Sequence, residues 1–294
     1  MTAAIGFIGL GLMGTGFTRR LMETGHRVVG FDIDPAKVAA AVSAGVTAAA
    51  SAAEVAAAAD IVLISVIDTH AVEDATLGSR GVVAHQNLAA KIVVDHSTTE
   101  LSATGRIAAA LAARGAAFVD APVSGGPEAA ASGTLAIMAG GTDAAIATIA
   151  PTMSHLGKLT HMGAVGTGQA TKLVNQTLVL TNFCVLAEAL RLAQAHGVDA
   201  RKIPQALAGG HAGSNLLPVA FARMIAEDFA PRGYARQVLK DLEMLNAAAR
   251  AQHLAMPMAS QALTLYRLLV AAGHSELDAA AVVNLYPKVG KLSG

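Results

Sequence analysis

The chain has 294 residues with 21 basic and 21 acidic side chains, a formal net charge of zero. That balance argues against nucleic acid or an anionic membrane surface as the main partner, and the length allows two domains with separate cores. Hydrophobic residues make up 53% of the chain. Alanine supplies much of that share, and no uncharged stretch is read as the roughly 20 strongly apolar residues a membrane span needs.

The N-terminus runs straight into "AAIGFIGLGLMG", with no basic region or cleavage site, so no secretion signal is expected. The one cysteine, Cys184, excludes an internal disulfide. It fits a reducing, cytoplasmic setting as a small buried hydrophobe. The ten histidines show no HxxxH or HExxH spacing, so no metal site is expected.

In chain order, "AAIGFIG" (3–9), "RVVGFD" (27–32), "DIVLISV" (60–66), "KIVVDHS" (91–97) and "AAFVDAP" (116–122) read as strands. Most are continuous apolar runs, as in a parallel sheet covered on both faces. Alanine-rich segments between them, such as 35–45 and 101–115, read as crossover helices of a doubly wound α/β domain. "GTLAIMAGG" (133–141) and "GKLTHMG" (157–163) extend the sheet. Beyond residue 163 no strand is evident. A long apolar helix begins near Gly166, and others follow, broken at 208–215, 227–234 and 271–278. The expectation is a Rossmann domain over 1–163 and an all-α substrate and dimerisation domain over 164–294.

"IGLGLMG" places Gly9, Gly11 and Gly14 between the first strand and the first helix. In that context the glycines serve a tight turn, close approach of backbone to a pyrophosphate, and helix–strand packing. The helix N-terminus adds N–H groups and partial positive charge. Gly9, Leu10, Gly11, Leu12, Met13 and Gly14 are therefore candidate cofactor contacts. Asp32 ends the second strand, where a carboxylate accepts from ribose hydroxyls and repels a 2′-phosphate. No arginine follows it directly, so NAD is favoured, with NADP possible. Asp34 before Pro35 suits the N-cap of the next helix. Ligands gather outside the carboxyl ends of such strands, which brings Val66, Ile67 and Thr98 to the cofactor. Ser97 and Thr98 serve either a nicotinamide ribose or the helix starting near Glu100. Ser124, Gly125 and Gly126 form a small turn whose N–H groups suit a carboxylate. Lys172 has no acid three or four residues away.

Together, "GFIGLGLMG", "DAPVSGG" with "GTLAIMAGG", "GTGQATKLVNQ" and "LKDLEML" resemble, in matching order, the β-hydroxyacid dehydrogenase family. This family includes 3-hydroxyisobutyrate dehydrogenases and 2-hydroxy-3-oxopropionate (tartronate semialdehyde) reductases; "LAGGHAGSNLL" (207–217) looks most like the latter. The resemblance spans essentially the whole chain. It implies that Lys172 is the acid/base and Asn175 its neighbour, that Ser124, Gly125 and Gly126 hold the substrate carboxylate, and that Lys240 approaches the cofactor with Asp241 as partner. It also implies that Gly213 and Ser214 help close the pocket. Helix geometry agrees: residues three apart share a face, so Lys172 and Asn175 reach one substrate over the nicotinamide. A lysine with a pKa lowered by partial burial would accept the hydroxyl proton. The family commonly has proline and methionine after the third glycine, where this chain has Thr15 and Gly16. His96 fills the variable position of "DHST". An imine reductase on this scaffold is the alternative, but such relatives generally lack lysine at the Lys172 position. A non-catalytic dinucleotide-binding module would have no need of the Lys172–Asn175 pair. The uniformly apolar helix after Leu173 predicts a homodimer or homotetramer.

Overall fold

Apolar runs without alternation bury both faces of a sheet, and the computed structural model, which describes residues 4–288, sets them side by side. Strands β1 (Ile5–Ile8), β2 (Val28–Phe31), β3 (Thr47–Ala48), β4 (Ile61–Ile64), β5 (Ile92–Asp95) and β6 (Ala117–Asp120) lie in the order β3-β2-β1-β4-β5-β6. Every neighbouring pair in that array is parallel. Helices α1 (Leu12–Glu23), α2 (Pro35–Ser43), α3 (Ala52–Ala58), α4 (Thr69–Leu77) and α5 (Leu101–Ala112) make the crossovers. Successive side chains point to opposite faces. Phe7, Leu63 and Val94 join one core cluster, and Ile8, Ile64 and Val93 the other.

The sheet continues through β7 (Val123–Ser124), α6 (Gly126–Ser132), β8 (Leu135–Gly140), α7 (Asp143–Leu156) and β9 (Gly157–Gly163). Here the direction reverses: β8 runs antiparallel to both β6 and β7, and β9 pairs parallel to β8. The segment 125–134 is too short for a parallel crossover, which needs a dozen or more residues.

Compact packing divides the chain after Lys172. The first unit thus extends beyond β9 to include the opening turn of α8 (Thr167–Ala195). The second unit contains the rest of α8 with α9 (Ile203–Leu207), α10 (Leu216–Ala226), α11 (Ala235–Ala251) and α12 (Pro257–Ala271). Its described residues form no strand beyond one isolated bridge, Tyr234 to Asp278. Its core gathers Leu180, Cys184, Leu190, Phe221, Leu242 and Tyr266. Each fully buried side chain of this kind contributes about 1.5–3 kcal/mol relative to exposure.

By length and composition α8 would suffice to cross a membrane, despite its charged residues. It is a core helix: Leu180, Leu186, Ala187 and Leu190 are buried within the second unit. Its threonines fit because Thr171, Thr177 and Thr181 donate their hydroxyls back to the carbonyls of Thr167, Leu173 and Thr177.

Candidate active site

The loop between β1 and α1 is built by its glycines. Gly9 has φ +97°, and a Cβ there would sit 2.1 Å from Ser65 O. A Cβ on Gly14 would lie 1.9 Å from Gly9 O and 3.3 Å from the Phe7 ring, so the helix closes tightly on the strand. Around Gly11, by contrast, nothing beyond the adjoining chain lies within 4 Å of that position, and no side chain caps α1. An uncapped helix start facing open space fits a dinucleotide pyrophosphate. Leu12 is exposed, Met13 half-buried and Leu10 buried.

Asp32 follows β2, and its carboxylate braces the loop. Oδ2 accepts the Leu10 N–H at 2.7 Å, and Oδ1 accepts the Asp34 N–H at 2.9 Å. Asp34 caps α2 by accepting from Ala36 N–H at 2.9 Å, with Pro35 in the first turn. Asp32 lines a pocket of about 500 Å³ with Ile33, Pro35, Ala49 and Arg80. Arg80, which also donates to Ala50 O, brings a guanidinium to this pocket. Lys37 Nζ stands 4.0 Å from Asp32 Oδ1.

The two neighbouring loops are tied together, since Val66 N–H donates to Ser97 Oγ at 2.9 Å. Ile67 is exposed and Thr98 half-buried. Neither Ser97 nor Thr98 caps α5, whose N-cap is Glu100 without a side-chain bond. Asp95 organises the turn by accepting Ser97 N–H at 2.9 Å and Thr99 Oγ1–H at 2.6 Å. Burial pushes its carboxyl up to about 6, against the lowering effect of those bonds. His96 stacks on Phe17 with centroids 4.9 Å apart, and its Nδ1 lies 2.7 Å from Ala121 O. Burial pushes its imidazole down to about 4, which keeps it neutral with the proton on Nδ1.

Asp120, at the end of β6, receives the start of α8. Oδ1 accepts Gly166 N–H at 2.7 Å and Oδ2 accepts Gln169 N–H at 2.8 Å. Burial raises this carboxyl to about 6, while those N–H groups hold it down. Only glycine fits at 168, where a Cβ would meet Asp120 O at 2.3 Å and Met138 O at 2.5 Å. One turn further, Lys172 is 8% exposed and its Nζ donates to Val123 O at 2.7 Å. Val123 immediately precedes Ser124, Gly125 (φ +134°) and Gly126 (φ +75°), where α6 begins without a side-chain cap. The fold thus brings Lys172 to the strand carrying the expected carboxylate loop. Asp95, Asp120 and Gln169, which hold this arrangement, were not singled out from sequence.

Asn175, Ser214 and Lys240 belong to the second unit. Asn175 Nδ2 donates to Gln176 Oε1 at 2.8 Å, and Gln176 Nε2 donates to the buried carboxylate of Asp241. Because Asp241 can only accept, it orients both amides. Lys240 Nζ lies 3.0 Å from Asp241 Oδ1. Ser214 Oγ accepts Leu217 N–H at 3.1 Å, from the first turn of α10. Cys184 is buried, which pushes its thiol up to about 12. No metal-holding cluster occurs among the described residues.

Two family models match the chain. One, described as the NAD binding domain of 6-phosphogluconate dehydrogenase, covers residues 4–168. The other, described as NAD-binding of NADP-dependent 3-hydroxyisobutyrate dehydrogenase, covers residues 166–286. The chain is 37% identical over 280 residues to 2-hydroxy-3-oxopropionate reductase of Escherichia coli, with 95% of each chain covered. It is 34% identical over 290 residues to an NAD-dependent L-serine dehydrogenase of Pseudomonas aeruginosa, covering 96% of this chain and 97% of that one. The solved structure of Mycobacterium tuberculosis 3-hydroxyisobutyrate dehydrogenase with L-serine matches at TM-score 0.84 and 30% identity, covering 97% of this chain and 99% of that one.

Proposed function

We propose, on the premise that the chain belongs to the β-hydroxyacid dehydrogenase family, that it interconverts a small 3-hydroxy acid and the matching aldehyde acid with Lys172 as proton donor and acceptor. The chain is an NAD(P)-dependent oxidoreductase of the hydroxyacid dehydrogenase type. Its substrate class in this reading covers 3-hydroxyisobutyrate, glycerate and 2-hydroxy-3-oxopropionate, or L-serine. The observation that carries the reading is the buried Lys172 ammonium held 2.7 Å from Val123 O, beside the 124–126 turn.

The nicotinamide, when bound, exchanges hydride with the substrate carbon. Its phosphates fit the open, uncapped loop at Gly9–Gly14, and its adenosine ribose fits the pocket at Asp32. In reduction, Lys172 donates a proton to the carbonyl oxygen as alkoxide charge develops there; in oxidation it takes the hydroxyl proton back. A mostly desolvated ammonium stabilises that alkoxide far more than a hydrated one. The backbone N–H groups of the 124–126 turn, with the Ser124 hydroxyl, hold the carboxylate. A carboxylate fixed so near the lysine selects short acids. Asn175 lies on the next turn of α8, and its role, with those of Ser214 and Lys240, is assigned by resemblance. Asp32 supports a preference for NAD, with NADP possible. We further propose a cytoplasmic homodimer or homotetramer.

The test is an absorbance screen at the NADH band, pairing NAD or NADP with 3-hydroxyisobutyrate, L-serine, glycerate and 3-hydroxypropionate, and NADH with 2-hydroxy-3-oxopropionate. Turnover of at least one small acid is expected; none with any of them overturns the substrate class.

A further inference from the structure

The residue that binds the lysine's turn to the cofactor side is Gln169. It is 1% exposed and lies one turn before Lys172. Its Nε2 donates to Ser97 O at 2.8 Å, and its Oε1 accepts Thr99 N–H at 3.1 Å. Its backbone N–H is held by Asp120. Ser97 in turn holds Val66 N–H through its hydroxyl. An unbroken chain of hydrogen bonds therefore runs from the first turn of α8, through the loop after β5, to the loop after β4. All of its members lie in the first unit.

We infer that Gln169 is a positioning residue that locks the turn carrying Lys172 to the loops at 65–67 and 97–99, so that the proton-transferring amine keeps its register against the cofactor-side loops. The inference rests on the assignment of Lys172 made above. The chemistry of the fork is demanding: Ser97 O needs a donor and Thr99 N–H an acceptor, side by side in a buried place. A primary amide supplies both without charge. An apolar side chain of the same length leaves both groups unsatisfied, and the turn shifts to satisfy them elsewhere. A displacement of ~1 Å at the amine costs on the order of 10²-fold in rate.

Gln169→Glu gives the distinguishing test. A protonated carboxyl offers one donor and one acceptor, as the amide does, whereas the ionised form turns oxygen against Ser97 O. The charged groups around it are Asp95, reached through Ser97 and Thr99, Asp120 at its own backbone, and Lys172 one turn on; neutral His96 adjoins Ser97. Burial and the two carboxylates raise the pKa of the introduced acid, and the lysine opposes them.

Wild type, Gln169→Met, Gln169→Glu and Lys172→Ala are compared with NADH and 2-hydroxy-3-oxopropionate, or with the fastest pair from the screen. We expect Gln169→Met to lower kcat on the order of 10²-fold, more than it raises KM for NADH. The kcat of Gln169→Glu relative to wild type should rise steadily as pH falls from about 8 toward 6. Wild-type kcat in Gln169→Met, or a Glu-to-wild-type ratio flat with pH, overturns the inference. If Gln169→Met does not fold, the pH ratio of Gln169→Glu decides alone. If Lys172→Ala keeps wild-type turnover, the assignment of the lysine fails instead, so the two failures are separable.

Discussion

Lys172 donates to the carbonyl of Val123 across a separation of 49 positions, and this contact explains why an apolar helix carries an ammonium in its opening turns. The lysine is the last residue of the first unit. Asp120 and Gln169 fasten its turn to the sheet, and Val123 leads directly into the 124–126 turn. A helix whose later turns put one face in the core of the second unit thus delivers one cation to the end of a strand.

The turn proposed to hold the carboxylate depends on Gly125. Its φ of +134° disfavours any other residue, and a Cβ would lie 2.5 Å from Ala129 Cβ. Gly125→Ala should raise KM for the hydroxyacid on the order of 10-fold or more, the equivalent of one charge-assisted hydrogen bond, with little change in KM for the dinucleotide. Initial-rate kinetics with each ligand varied separately check this; equal changes in both would mean general distortion.

The pocket proposed for the adenosine ribose predicts a split in cofactor use. Asp32 braces Leu10 as well as lining the pocket. Asp32→Ala should therefore weaken both dinucleotides while raising KM for NAD more than for NADP. Removing the cation in Arg80→Ala should act the other way, raising KM for NADP more. Identical KM ratios in the variants and wild type would remove both side chains from cofactor selection.

Opposed titrations shape the pH dependence of stability. The Asp95 and Asp120 carboxyls are raised to about 6 by burial, so the folded state binds protons more readily than the unfolded chain. Their contribution is fully present below the unfolded value of 3.8 and is lost as pH rises through about 6. His96 is lowered from 6.5 to about 4, so its contribution is lost as pH falls through that window. The two effects offset one another in the wild type. His96→Phe, which can keep the stacking on Phe17, should unmask the carboxylates: its melting temperature relative to wild type should rise between neutral pH and about pH 5. Calorimetric melts of both proteins across this range check it, and parallel curves would contradict it.

The exposed face of α8 predicts assembly. Val174, Leu178 and Leu192 are each at least 60% exposed, and four-residue and seven-residue steps keep them near one stripe. Size-exclusion chromatography with light scattering should report a dimer or tetramer, and Leu178→Glu should shift it toward monomer. A monomeric wild type at micromolar concentration would refute the assembly.

Strands β1, β2, β4, β5 and β6 were legible because each is an apolar run long enough to stand out between turns and alanine-rich helices. β3 and β7, two residues each, leave no periodicity to detect. The reversal at β8 is a matter of pairing, which local pattern does not encode. The tight turn between β1 and α1 was readable because its three glycines act within a few residues of one another. Gln169 was not, since its partners lie 70 and 72 positions away, and a buried glutamine in a helix looks locally like any polar position. Arg80 likewise lines the Asp32 pocket from 48 positions away in the chain.

The most direct test of the central claim is single-turnover reduction by Lys172→Ala, measured alongside NADH binding by fluorescence titration. The account predicts hydride transfer slower by about 10²–10⁴-fold, the usual contribution of a general acid, with NADH affinity unchanged. Hydride transfer at the wild-type rate in that variant would contradict it.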